Sequence, residues 1–233
     1  MATLTHTQPI VTLPPLEAGD HLDQPTFHER YEAMPPDFRA ELIGGVVIVP
    51  SPLRVDHAEF HWIVNAWLSA YQIRTPGTRG RDNGTAILGP DSEPQPDSAL
   101  VIDPACGGRT SVNAKGYAVG PPELIVEVAS SSAAYDLYEK REDYERAGVL
   151  EYVVVLVLED EIRWFALEGD KFAALAPDDK GVFRSRNFPG LWLDAPALFR
   201  GDAPAMLQTL ESGLATPEHA AFVERLANAN AGA

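Results

Sequence analysis

The chain of 233 residues fits one domain with extensions, and its 45% hydrophobic residues suffice for a full core. Its net charge of -16 opposes long-range attraction to nucleic acid, so a nucleic-acid function would depend on a local basic surface or on metal ions held by acids. One cysteine excludes an internal disulfide. With no basic segment before an apolar run and no apolar stretch of ~20 residues, we expect a cytoplasmic protein without a signal peptide or membrane span.

The first third of the chain predicts an arm, two helices and a broken strand between them. The longer helix follows from apolar residues at helical spacing, and the broken strand follows from a pair of glycines. In chain order, the predictions are an arm over 1–25, a helix over 27–34 capped by Thr26, two strands or one bulged strand over 41–49 with a turn at Gly44-Gly45, and a helix over 56–73.

The sequence pattern in the rest of the chain predicts a mixed sheet. The strand–helix–strand unit over 122–158 implies a parallel pair with a helical crossover, and the run 151–158, apolar on both faces, indicates an interior strand. The fold class is therefore α/β, a mixed central sheet flanked by helices with a helical C-terminal extension. The other predicted elements are strands over 85–88 and 98–102, a turn-rich segment over 104–121, a hairpin over 162–167 and 171–175, and helices within 201–230, the last opened by Pro217.

A lysine stands on the apolar side of one predicted helix, which ends at Gly148. At 3.6 residues per turn, Lys140 shares a narrow stripe with apolar and aromatic residues: Ala133, Leu137, Tyr144 and Ala147. The opposite face carries Glu139, Glu142 and Arg146. The Lys140 ammonium is therefore predicted to point inward, where it must lose its proton or meet an anion.

Two acids lie in apolar strands upstream of this lysine. Asp97 precedes the strand over 98–102, and Glu127 lies in a second strand; if the strands are neighbours, the two carboxylates converge. Two carboxylates at such a short distance repel each other unless a cation lies between them. Mg²⁺ is commonly held by one or two carboxylates. A lysine beside such a metal can orient or deprotonate the attacking water. This combination is typical of metal-dependent phosphodiester hydrolysis.

The order of short motifs resembles a large bacterial family of endonucleases in the PD-(D/E)xK, restriction-endonuclease-like superfamily. The resemblance covers roughly 26–200. It implies three segments: an N-terminal arm over 1–25, a nuclease domain over 26–200 and a helical extension over 201–233. The motifs are Glu41-Leu42-Ile43, Ser51-Pro52, His57, Pro96-Asp97, Glu127-Val128-Ala129-Ser130, Glu139-Lys140-Arg141, Tyr144, Ala147-Gly148-Val149, Glu151-Tyr152 and Phe188-Pro189-Gly190-Leu191 with Leu198-Phe199.

The resemblance implies a role for each matching residue. Asp97 and Glu127 hold the metal, Mg²⁺ or Mn²⁺, and Glu41 is the upstream acid that supports the site. The superfamily's lysine usually lies two residues beyond the glutamate, where this chain has Ala129, so the lysine of this family is Lys140 on the following helix. The implied substrate is DNA. His57 matches a histidine to which the resemblance gives no role.

The chain departs from the family pattern in two turns, and two alternative functions stay open. Gly44-Gly45 replaces an Asp-Gly-Glu turn, and Ser130-Ser131-Ser132 lacks a proline. The first alternative is an inactive member of the fold that serves as a binding or assembly module, which the acidic charge favours. The second is a zinc hydrolase that uses His57 and His61, four residues apart on a helix but without an evident third ligand.

Two further expectations concern partners. A homodimer suits the cleavage of two strands, with contact surface offered by the aromatic residues Trp164, Phe165 and Trp192. Three arginines cluster around a Pro-Gly turn and either meet phosphates or lie in a solvated loop: Arg74, Arg79 and Arg81.

Overall fold

The computed structural model describes residues 13–231 of the chain. Its helices are α1 (Gln24–Glu32), α2 (Val55–Arg74), α3 (Ala133–Tyr135), α4 (Arg141–Ala147), α5 (Ala195–Phe199), α6 (Ala203–Leu214) and α7 (Pro217–Ala231), with a π-helical segment (Asp136–Lys140) and a 3₁₀ turn (Pro104–Cys106). Its strands are β1 (Glu41–Ile43), β2 (Val46–Ile48), β3 (Thr78–Asp82), β4 (Ala86–Ile87), β5 (Ser98–Ile102), β6 (Ser111–Val112), β7 (Ala118–Val119), β8 (Leu124–Ala129), β9 (Glu151–Leu156), β10 (Glu161–Glu168), β11 (Lys171–Leu175), β12 (Val182–Arg184) and β13 (Trp192–Asp194).

The main sheet has six strands in the order β11-β10-β9-β8-β5-β3. β8 and β9 are parallel, whereas their outer neighbours are antiparallel. The predicted mixed sheet, its parallel pair and its hairpin are thus confirmed. β9 is buried along its whole length, as the apolar run on both of its faces predicted.

Alternation along the central strands separates two cores. Leu124, Val126 and Val128 of β8 pack with α2, α6 and α7 on one face of the sheet. Ile125 and Ala129 of the same strand pack with the helical crossover on the other face. The sheet is therefore covered by helices on both sides.

The crossover between β8 and β9 is less regular than predicted. It begins as α3, widens into the π-helical segment and continues as α4, which ends at Gly148 with a φ of 82°. A π-turn changes the direction of the side chains that follow it, and such turns frequently occur at functional sites. The face carrying Glu139, Glu142 and Arg146 is exposed, as predicted.

Two local predictions are wrong. The cap of α1 is Asp23, whose side chain accepts a hydrogen bond from the Thr26 amide, so the helix starts earlier than a Thr26 cap would allow. Trp164 and Phe165 do not form a contact surface, because β10 turns both side chains into this chain's own cores. Trp192 is half-buried, with the Arg184 guanidinium over its ring.

The expected N-terminal arm is described from Leu13 onward; residues 1–12 lie outside the described part. Leu16 is buried with Phe27 of α1 and with Leu42 and Val47 of the β1–β2 hairpin. Within 13–231, no helix is long and apolar enough to cross a lipid bilayer.

Glu151, the first residue of β9, organises the turn between β12 and β13. One of its carboxylate oxygens accepts hydrogen bonds from Ser185, the Arg186 amide and Asn187, at 2.6 to 3.0 Å. The other oxygen accepts from the Trp164 indole at 2.6 Å. This buried acid has a partner for both oxygens, so its role in the fold is structural.

Replacing Glu151 with Ala leaves several buried donors without an acceptor. We expect the free energy of unfolding to fall by about 3 kcal/mol or more, measured by urea denaturation. The matched control is Glu159→Ala at an exposed acid shortly after the same strand, with a change within about 0.5 kcal/mol. Equal losses in both variants would contradict the proposed structural role.

Candidate active site

Strand pairing brings Asp97 and Glu127 together. β5 and β8 are antiparallel with Ser98 opposite Val126, so Asp97, just before β5, lies beside Glu127. The Asp97 amide donates to Glu127 Oε2 at 3.2 Å, and the Val128 amide donates to Asp97 Oδ2 at 2.8 Å. Each carboxylate is thus held by the backbone of the other strand.

Lys140 is buried and meets acids from three parts of the chain. Its Nζ lies 3.0 Å from Glu127 Oε1, 3.2 Å from Glu41 Oε2 and 3.9 Å from Asp136 Oδ1. The prediction that this ammonium points inward and finds anions is confirmed. Because an unpaired buried charge is strongly destabilising, these contacts are a requirement of the fold as well as a feature of the site.

Glu41 reaches the site from the β1–β2 hairpin. Its Oε1 accepts a hydrogen bond from the Gln95 amide at 2.7 Å, which aims Oε2 at Lys140. The hairpin is tied to α4 by the buried Asp143, which accepts from the Gly44 amide at 3.1 Å and from the Ser92 hydroxyl. Asp143 therefore fixes the distance between the elements that carry Glu41 and Lys140.

Three other side chains complete the site, and sequence reasoning gave none of them a role there. The Tyr144 hydroxyl donates to Glu127 Oε1 at 2.8 Å. The buried Asp136 lies one turn before Lys140, a spacing of four residues that typically pairs charges on a helix. His57 Nε2 lies 3.1 Å from Asp97 Oδ2. Only the Asp136–Lys140 spacing was a usable sequence signal, because the other two contacts join distant segments.

The two histidines of the zinc alternative face Asp97 instead. His61 Nε2 lies 2.9 Å from the Asp97 carbonyl oxygen. Over residues 13–231, no group of three or more His, Cys, Asp or Glu side chains is arranged to hold a metal ion. The described residues thus form no three-ligand metal site around His57 and His61.

The charges of the site are unbalanced. Four carboxyl groups, Glu41, Asp97, Glu127 and Asp136, surround one ammonium, that of Lys140, and one imidazole, that of His57. Burial would lower the pKa of Lys140, but Glu127, Glu41 and Asp136 outweigh it and raise that pKa well above its usual value. Lys140 therefore keeps its proton.

The two central acids respond differently to burial. Burial raises the pKa of Glu127 well above 4.5; the Lys140 charge opposes this rise, and the neighbouring carboxylates reinforce it. Burial would also raise the pKa of Asp97, but hydrogen bonds from His57 and Val128 outweigh it and hold that pKa below its usual value. Of these two acids, Glu127 is the one whose charged form is disfavoured, so it gains more from an added positive charge.

The mixed sheet and its helical layers define a restriction-endonuclease-like fold. A solved structure with this fold is a "putative nuclease belonging to DUF820" from Anabaena variabilis ATCC 29413, at a TM-score of 0.57 and 14% sequence identity, covering 74% of this chain and 96% of that chain. The model of the Uma2 family, described as "Putative restriction endonuclease", matches residues 26–196. The chain belongs to the Uma2 family. No curated protein matches it.

The ion pair at Lys140 gives a stability prediction. We expect Lys140→Met to lower the free energy of unfolding by ~3–5 kcal/mol, because it leaves buried carboxylates without their cation. Urea denaturation in a metal-free buffer measures the loss. The double variant Lys140→Met/Glu127→Gln is expected to recover part of it, since it removes one of the uncompensated charges. A double variant as unstable as the sum of the two single variants would show that the two groups are not coupled.

Proposed function

We propose that this protein is a metal-dependent endonuclease that hydrolyses DNA phosphodiester bonds. The observation that carries the proposal is the meeting of Asp97, Glu127 and the buried Lys140 ammonium at one end of β5 and β8. Membership of the Uma2 family supports nuclease chemistry. The proposed catalytic residues are Asp97, Glu127, Lys140 and Glu41.

The donor set fits a magnesium or manganese ion. Asp97 and Glu127 would hold it, because both ions prefer carboxylate oxygens and Mg²⁺ usually keeps several waters. Within the described residues no hydrogen bond reaches Asp97 Oδ1, and the Asp97 side chain is 15% exposed, so it can accept a ligand from solvent. The excess of carboxylates favours an added cation. When bound, the ion supplies positive charge that stabilises a phosphoryl group under attack.

Lys140 acts in this proposal as a fixed cation. Its ammonium keeps its proton, so it orients an attacking water by donating a hydrogen bond and stabilises developing negative charge, rather than removing a proton. Glu41 and Glu127 together hold Lys140 in place. His57 orients Asp97 through its Nε2 contact.

A plasmid-nicking assay tests the proposal. We expect the wild-type protein to nick supercoiled DNA with Mg²⁺ or Mn²⁺ and to lose this activity with EDTA. Asp97→Asn and Glu127→Gln are expected to lower the nicking rate about a hundredfold or more, because each removes a charged oxygen ligand.

Glu59→Gln is the matched control, because Glu59 is an exposed acid on α2. We expect it to keep the wild-type rate. Equal nicking rates for the wild type and Asp97→Asn would favour the inactive binding or assembly module. A wild-type protein that is purified with one equivalent of zinc, when His57→Ala is purified without it, would favour the zinc hydrolase.

The raised pKa of Glu127 gives a readout that does not depend on activity. The folded state holds this proton more tightly than the unfolded chain does, so its stabilising effect is present below pH 4.5 and is lost as pH rises through the folded pKa. In EDTA we expect the free energy of unfolding to decrease with increasing pH, and to decrease more in the wild type than in Glu127→Gln. In thermal unfolding, we expect Mn²⁺ to raise the stability of the wild type by an amount that grows with pH, and to raise that of Glu127→Gln less. A pH-independent difference between the two proteins would contradict the assignment.

The proposal includes a homodimer, since two sites related by a two-fold axis suit the cleavage of two strands. The buried positions of Trp164 and Phe165 mean that a contact surface must use other residues. Sedimentation velocity measures the oligomeric state directly.

A further inference from the structure

We propose that the groove between α2 and β3 binds a single DNA strand next to the cleavage site, with Arg81 contacting a phosphate and Trp62 stacking on a base. This inference rests on the proposed nuclease function and extends it to a substrate-binding surface. The groove has a volume of about 470 Å³. It is lined by α2 residues that include His57, His61, Trp62 and Asn65, and by Arg81 and Asp82 of β3.

Two histidines join the groove to one of the proposed metal ligands. His57 and His61 both line it; His57 contacts Asp97 Oδ2, and His61 contacts the Asp97 carbonyl oxygen. A strand lying in the groove would thus lie beside the histidines that contact Asp97. The volume is within the range of ordinary ligand pockets, so it suits one or two nucleotides rather than a duplex.

Arg81 is a guanidinium whose hydrogen bonding is incomplete. Its Nη1 is buried and has no hydrogen-bond partner among the described residues. The two other arginines of this region are paired, Arg74 with Glu211 and Arg79 with Asp103. A donor without an acceptor is costly, so this guanidinium has hydrogen-bonding capacity to spare. Because Arg81 lines the groove, its guanidinium can donate to a phosphate oxygen bound there. Arg81 thus supplies a positive charge within the groove.

Asp82, the acid in the groove lining, already has hydrogen-bond partners. Asp82 accepts hydrogen bonds from Asn65 at 3.1 Å and Asn83 at 3.0 Å, and it lies 3.1 Å from His61 Nε2. These contacts spread its negative charge over neighbouring donors. Its repulsion of a phosphate at Arg81 is correspondingly reduced.

Trp62 provides a surface for a base. Its side chain projects from α2 at the groove and is 78% exposed, although tryptophan is usually largely buried. An exposed aromatic ring near a positively charged side chain is a usual means of binding single strands without sequence preference, since every base has a flat face. In this proposal, Arg81 therefore binds a phosphate and Trp62 binds a base.

Fluorescence anisotropy with a labelled single-stranded DNA of about 12 nucleotides tests the groove. The buffer contains Ca²⁺ instead of Mg²⁺, so that binding is measured without turnover. We expect Arg81→Ala to weaken binding about tenfold and to lower the slope of log Kd against log salt by about one. Trp62→Ala is expected to weaken binding five- to thirtyfold with an unchanged slope, and Trp62→Phe to retain most of the affinity.

Arg79→Ala is the matched control, because this arginine lies on the same strand but is paired with Asp103. We expect it to change the affinity less than twofold, with urea midpoints confirming that every variant is folded. Wild-type affinity in both Arg81→Ala and Trp62→Ala would overturn the groove proposal, and so would a wild-type protein that does not bind the strand. A dimer that Trp62→Ala dissociates without loss of DNA affinity would also overturn it, since a second copy would then cover this surface. The nicking assay decides the proposed nuclease function independently of these outcomes.

Discussion

The buried Lys140 ammonium is the contact on which the site and much of the fold depend. It joins the acid of β8, the acid of the β1–β2 hairpin and the acid of its own helical segment: Glu127, Glu41 and Asp136. Removing the ammonium from such an interior leaves its partners desolvated and uncompensated. The hairpin, the central sheet and the crossover helix must therefore assemble together, and the assembly that neutralises the lysine also builds the candidate active site.

Asp97 has different surroundings from the structural acids of this protein. Glu151 and Asp143 are buried acids whose oxygens are filled by amides, hydroxyls and an indole, and each connects two elements of the fold. Asp97 differs from them, because one of its oxygens has no hydrogen bond in the described structure and its side chain is 15% exposed. An open oxygen of this kind, beside a second buried carboxylate, is typical of a site that binds a charged ligand.

The net charge of -16 limits how such a protein approaches a polyanion. Long-range attraction is unfavourable, so binding must depend on short-range contacts and on cations held at the carboxylates. The groove beside α2 fits this restriction, because it combines one incompletely bonded guanidinium with an exposed indole instead of a broad basic surface. Stacking and single hydrogen bonds act at contact distance and are less affected by the overall charge.

Local periodicity was enough to predict the inward lysine, the interior strand β9, its parallel pairing with β8 and the α/β class. These features depend on residues close in sequence, where the spacing of apolar side chains determines which face is buried. Periodicity cannot show which strands are neighbours or which distant side chains meet. The Asp97–Glu127 approach needed the β5–β8 register, and the contacts of His57 and Tyr144, like the burial of Trp164, arose only from tertiary packing. The amino-acid sequence therefore determined the charges and their faces, while the sheet order decided which of them share one site.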